Sequence, residues 1–131
     1  MATPDEVEPC EFEEIFELAA DAKGDGIRAK NRDGAQWYRY ENAGMCCLWE
    51  PGNRASTKRI SHWWVRDERR GEGIGRALFE RAVGDAEQSN AATLDIYVYD
   101  DGLVTEHGFE ERPESSQAMD DARYFVKDIS K

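Results

Sequence analysis

Arg70-Gly71-Glu72-Gly73-Ile74-Gly75-Arg76 sets three glycines between two arginines. The segment stands between a strand-like run, Arg59 to Val65, and an amphipathic helix pattern that begins near Ile74. Glycines let the backbone curl tightly and approach a ligand without a Cβ in the way. The helix that follows aims its free N–H groups and the positive end of its dipole into the curl. Such a turn suits a phosphate or pyrophosphate, with Arg70 and Arg76 supplying charge for its oxygens. Two common alternatives fit poorly. A P-loop would end in Gly-Lys-Ser/Thr, which is absent. A dinucleotide fingerprint should follow the first strand of a βαβ unit, whereas three strand-like runs precede this turn.

The segment resembles the acetyl-CoA-binding motif of the GNAT superfamily of N-acetyltransferases. Val65, Arg70, Gly73 and Gly75 match that motif, Gly71, Ile74 and Leu78 match its accessory positions, and His107-Gly108-Phe109 is similar to the family's late Gly-Phe. The resemblance implies an α/β domain of GNAT type: a mixed, mainly antiparallel sheet with helices on both sides. It implies an enzyme, an N-acetyltransferase with acetyl-CoA as co-substrate and a primary amine as acceptor. The backbone of Trp63, Trp64 and Val65 would pair with the pantetheine arm, and the turn Arg70, Gly71, Glu72, Gly73, Ile74, Gly75, Arg76 would bind the pyrophosphate. Trp63 and Trp64 serve equally well as core aromatics.

The chain departs from the family pattern at both ends. About 35 residues before the first hairpin leave room for little more than one helix, and the penultimate helix is nearly deleted. The family's Tyr acid, four residues before the Gly of Gly-Phe, is Val104 here; Tyr97 and Tyr99 lie close enough in sequence to substitute. For a general base the family often uses Glu or His on the central strand. Period-two alternation puts Trp63, Ser61 and Arg59 on the face with Val65 and His62 on the other; a one-residue bulge would swing His62 round. Glu50 and Glu41 are further candidates. The catalytic set is therefore His62, Glu50 and Tyr97, with structural roles open for each. A CoA-binding, interaction or structural module of the same fold is the alternative function.

Length and composition bound the rest. The 131 residues suit one domain, 1–131, with the acidic, proline-bearing segment 1–10 expected to fray. Apolar positions Phe12, Ile15, Phe16 and Ala19 predict a helix closed by Gly24 and Gly26. Gln36–Glu41 and Met45–Glu50 predict a hairpin, broken at Pro51-Gly52-Asn53. A helix over 73–89 buries Ile74, Ala77, Leu78, Ala82 and Ala86, and 93–99 alternates with Leu94, Ile96 and Val98 together. Cys10, Cys46 and Cys47 read as small core residues, and no metal spacing is present. With no signal peptide or apolar span, a cytoplasmic location is expected. The net charge of −11 argues against nucleic-acid binding. It fits either attraction of cationic substrates or a surface adapted to a high-salt, haloarchaeal-type cytoplasm. Five lysines beside 12 arginines and evenly spread acids favour the second. Expected partners are acetyl-CoA and an amine, with no nucleic acid and no membrane; a homodimer is left open.

Overall fold

The computed structural model describes residues 1–32, 34–52, 55–113 and 122–131. Seven strands make one sheet: β1 Glu8–Cys10, β2 Gln36–Tyr40, β3 Gly44–Trp49, β4 Thr57–Val65, β5 Thr93–Val98, β6 Glu110–Glu111 and β7 Arg123–Asp128. Their order is β1-β2-β3-β4-β5-β7-β6, and every pairing is antiparallel except β4 with β5. Helix α1, Phe16–Ala22, covers one face; α2, Ile74–Glu87, and the five-residue α3, Gly102–Glu106, cover the other. This is the mixed sheet between helices that the resemblance implies, with the penultimate helix cut to little more than a turn.

The segment expected to fray is held. Glu8, Pro9 and Cys10 pair with Arg39, Tyr38 and Trp37, and Val7 is buried against α2. Acidic composition hides this strand because few apolar side chains anchor it, Val7 against α2 on one face and the partly buried Cys10 on the other. The first helix also differs in detail. Residues 12–15 form a 3-10 turn, whose three-residue spacing aligns Phe12, Ile15 and Leu18 toward the sheet and leaves Phe16 exposed. Gly26 ends the segment in the left-handed region, at φ +85°.

The hairpin β2–β3 forms as its sequence predicts, with Tyr40 opposite Gly44. Gly44 is required for packing: a Cβ there would lie 3.0 Å from Ile74 Cγ2 and Leu78 Cδ1. Helix α2 buries the five predicted residues together with Phe79 and Val83. Leu94, Ile96 and Val98 of β5 join the same core. The expected break after β3 falls partly on Asn53, which lies outside the described residues. Burial pushes the thiol of Cys47 up to about 12 and that of Cys46 well up, so this adjacent pair stays protonated and packs as core.

Candidate active site at the gap between two parallel strands

Strands β4 and β5 pair only from Thr57–Ile60 against Thr93–Ile96. Beyond Ile60 they part, while β4 keeps its antiparallel partner as far as Val65 opposite Gly44. The edge of Ser61–Val65 that faces β5 therefore carries no ladder. Its backbone groups are available to an extended ligand, as at any unpaired sheet edge.

The glycine turn sits where that edge ends. Asp67–Arg69 make a 3-10 turn, Gly71 and Gly73 take φ of +87° and +79°, and α2 starts at Ile74. Ala77 N–H is bonded to the Gly73 carbonyl. The N–H groups of Ile74, Gly75 and Arg76 precede that first helical bond, so helix geometry leaves them directed outward. The turn is tied to the strand by two bonds: Trp63 Nε1–H donates to the Gly75 carbonyl at 2.9 Å, and Arg70 Nε–H donates to the Val65 carbonyl at 3.2 Å. Arg69 adds a clamp that sequence reasoning missed, holding Glu72 through two bonds and Glu41 through one. Its guanidinium keeps the Glu72 carboxyl below the usual range. Arg76 is paired with Glu106 at 2.9 Å and Glu80 at 3.5 Å. Arg70 sits 3.2 Å from Asp67, so both flanking arginines are already in contact with acids, and an anion would share them. Ala2 N–H donates to the Glu72 carbonyl at 2.9 Å, laying the N-terminal residues along the turn.

The two tryptophans occupy opposite faces. Trp63 stacks on Phe79 of α2, whereas Trp64 packs with the α1 cluster and donates Nε1–H to Asp25 at 2.7 Å. Between them the strand is irregular: Ser61 faces Cys47 and Trp64 faces Met45, so β4 carries one extra residue, and His62 takes φ +52°. The bulge is present, but its effect differs from the expectation. Ile60, Trp63 and Val65 share the α2 face, while Ser61 and Arg59 move to the α1 face with His62 and Trp64. Simple alternation fails because the inserted residue changes the phase of every side chain before it.

On that α1 face, Trp49 Nε1–H donates to Ser61 Oγ at 2.7 Å, and Ser61 Oγ lies 2.7 Å from His62 Nδ1. The Ser61 proton is then free to go to Nδ1. Burial first, and the Arg32 charge second, hold the His62 imidazolium below its ordinary pKa; a bond to the Arg28 backbone works the other way. His62 is a neutral, hydrogen-bonded ring at neutral pH, tilted at 50° against Trp37. Arg59 makes a two-bond pair with Asp95, which is fully buried and also accepts from Tyr124 Oη at 2.5 Å. Tyr97 lies against Tyr124, with the Arg59 guanidinium 5.2 Å above its ring. Glu50 is exposed and 3.9 Å from Lys58, level with the paired half of β4 and away from the gap. Glu41 belongs to the Arg69 clamp, and Val104 is buried core. His62 and Tyr97 thus border the gap and Glu50 does not.

The acetyltransferase (GNAT) family model matches residues 2–111. This chain belongs to the GNAT family. No curated protein matches it significantly. Among solved structures, the ribosomal-protein-S18-alanine N-acetyltransferase of Escherichia coli superposes with a TM-score of 0.68 at 18% identity, over 95% of this chain and 94% of that one. A Bacillus subtilis acetyltransferase in complex with CoA gives 0.66 at 19% identity, over 93% and 97%. The N-acetylglutamate synthase of Neisseria gonorrhoeae, complexed with coenzyme A and L-arginine, gives 0.70 at 14%, over 95% of this chain and 33% of that one. At these identities the likeness speaks for the fold. Among the described residues of this GNAT chain, no helix is long and apolar enough to cross a membrane, and no cluster of three or more His, Cys, Asp or Glu could hold a metal ion.

Proposed function

We propose that this GNAT chain transfers an acetyl group from acetyl-CoA to a primary amine by direct attack. One observation carries the reading: the unpaired edge of Ser61–Val65 runs into the glycine turn at the start of α2. That juxtaposition fits a thioester with a long amide-bearing arm and a pyrophosphate. The amides of the arm match the strand edge, and the phosphates match the outward N–H groups of Ile74, Gly75 and Arg76, with Arg70 beside them. Gly71 and Gly73 take the left-handed backbone that shapes the turn, which a degenerate site has no need of, and the Met1 side chain lies against Gly73 where the phosphates would compete with it.

Bound acetyl-CoA supplies the acyl group: the acceptor nitrogen bonds the carbonyl carbon, the C–S bond breaks and the thiolate leaves. The chain's own part is to align the reactants and to offer a β4 backbone N–H to the carbonyl oxygen. His62, through Ser61 Oγ, receives the proton lost by the amine; Tyr97 stands on the opposite side of the gap as a candidate acid; Glu50 joins only through water. A cytoplasmic location and adaptation of the acidic surface to high salt complete the proposal, both resting on composition. The reduced alternative, a CoA-binding module without turnover, is favoured by one observation, the burial of Val104 where the family resemblance puts an acid.

Calorimetry with acetyl-CoA, followed by an amine panel read by thiol release, tests the proposal. Gly73→Asp puts a side chain and a negative charge into the turn. It should lower acetyl-CoA affinity at least tenfold while the circular dichroism spectrum is kept. Equal affinity in the two proteins at matched salt removes this turn as the site.

A further inference from the structure

Most of the described cations in this chain are neutralised. Among the described residues, Arg39, Lys58, Arg59, Arg66, Arg69, Arg70, Arg76, Arg81, Arg112, Arg123 and Lys127 each sit within 4.0 Å of a carboxylate. Lys131 donates instead to the Ser89 carbonyl. The described cations without an ion pair or hydrogen bond to an acid are otherwise Lys23, Arg28, Lys30 and Arg32. All four fall in the ten residues that follow α1, beside a single acid, Asp25, which is engaged by Trp64. In a chain of net charge −11 with acids spread throughout, this is an isolated positive patch.

Its position is equally specific. The loop lies over the α1 face of β3 and β4, on the same side as Ser61 and His62. Arg32 rests on the indole of Trp49, with its guanidinium carbon 4.4 Å from the ring centroid. Trp49 is the residue that donates to Ser61. The Nε–H of Arg32 is buried and has no hydrogen-bond partner. An unmade bond on a buried, charged donor is costly, and a ligand that completes it recovers that cost. Further out, Lys23, Arg28 and Lys30 surround a hollow of about 320 Å³ floored by Ala19, Ile27 and Ala29.

We infer that this loop selects an acceptor amine whose own scaffold carries carboxylate. Arg32, held over the Trp49 ring, takes the carboxylate nearest the amine, because a guanidinium can match a carboxylate edge while it rests on an aromatic face. Lys23, Arg28 and Lys30 attract further acids and speed encounter through the field of an otherwise negative protein. Polyamines, which the overall charge would attract, are repelled here. The inference rests on the proposed transfer only for the word acceptor; the anion site itself is an equilibrium property. Free α-amino acids and acidic peptides share this chemistry.

Titration of the full ¹⁵N-labelled chain with aspartate, with the peptide Ala-Asp-Asp-Glu and with 1,4-diaminobutane tests it, observing the Trp49 indole and Arg32 Nε–H resonances. Aspartate or the peptide should shift both signals saturably, the diamine neither, and Arg32→Gln should weaken binding at least tenfold. Affinity should fall as salt rises. Replacing Lys23, Arg28 and Lys30 by Gln separates the sources: the peptide loses affinity and aspartate does not. Absence of saturable binding by both acidic ligands overturns the inference, even if some amine is acetylated. Diamine binding of equal strength, indifferent to Arg32→Gln, overturns it as well. Carboxylate binding without acetylation of any amine upholds the anion site and overturns the transferase proposal instead.

Discussion

Trp63 donates its indole N–H to the carbonyl of Gly75 at 2.9 Å while its ring stacks on Phe79 with centroids 5.1 Å apart. Strand end and helix start are thereby one unit, packed so that a Cβ at Gly75 would make ordinary 3.7 Å contacts with Trp63 Nε1 and Val65 Cγ2. Trp63→Phe keeps the stack and removes the donor. Stability should drop by about 1 kcal/mol, the usual net worth of one hydrogen bond. Acetyl-CoA affinity should fall about threefold to tenfold as the turn loosens against β4. Calorimetry beside a denaturant melt checks this; a stability loss with unchanged affinity would separate the bond from the site.

Asp95 is the most demanding group in the sheet, a carboxylate with no solvent exposure facing Arg59 and Tyr124. Asp95→Asn leaves the half-buried Arg59 guanidinium without its counter-charge. Breaking one side of a buried pair costs about 3–5 kcal/mol, so urea denaturation should show a loss of that order. Arg59→Met combined with Asp95→Leu should restore much of it, since both charges are then gone. A double variant no better than Asp95→Asn would mean that the pair, rather than its balance, holds the sheet.

Much of this arrangement was legible in the order of residues. The hairpin, the buried face of α2 and the inward side of β5 follow local periodicity, which is why the sequence alone marks Ile74, Leu78, Leu94 and Ile96 as core. The glycine turn was legible because its chemistry is contiguous. The bulge was not. A histidine at φ +52° has no local signature, and its effect on Ser61 and Arg59 depends on register with β3, which is set across the sheet. Strand β1 escaped notice for a related reason, its stability being lent by β2. The four cations of Lys23–Arg32 were visible as letters, but that they lack acid partners while nearly every other described cation has one is a property of the folded surface.

His62 gives a pH dependence whose sign is fixed by its environment. Its folded pKa lies below that of the unfolded chain, about 6.5, because burial and Arg32 disfavour the charged ring. Above that pH both states carry a neutral imidazole. As pH falls through it, the unfolded chain takes up a proton that the folded chain resists, and stability is lost. His62→Gln should flatten the stability profile below about pH 6.5 relative to the parent. Identical slopes in urea melts across that range would show that His62 is not held neutral by the fold.

The surface charge makes an independent prediction. With 28 acids against 17 lysines and arginines, repulsion outweighs the attraction of the paired cations. Raising salt from low to molar levels screens that repulsion, so thermal stability should climb. A protein most stable in dilute buffer would count against adaptation to a salty interior.

The last prediction concerns turnover. Val104 fills the position where the resemblance puts an acid, and His62 and Tyr97 are the candidates that border the gap. No single group is then indispensable, and His62→Ala should lower the rate by about 10²–10³, the usual worth of one general catalyst. Ser61→Ala should do nearly as much, because the proton path runs through its hydroxyl; Glu50→Ala should do far less. An amine acceptor must lose a proton before it attacks, so the rate should rise with pH. A CoA thiolate, with a thiol pKa of about 8.5, can leave without being protonated, so no alkaline fall is expected. Initial rates from pH 6 to about pH 10.5, at saturating acetyl-CoA, provide the check. A bell-shaped profile whose alkaline limb vanishes in Tyr97→Phe would establish Tyr97 as the leaving-group acid and defeat the acid-free mechanism.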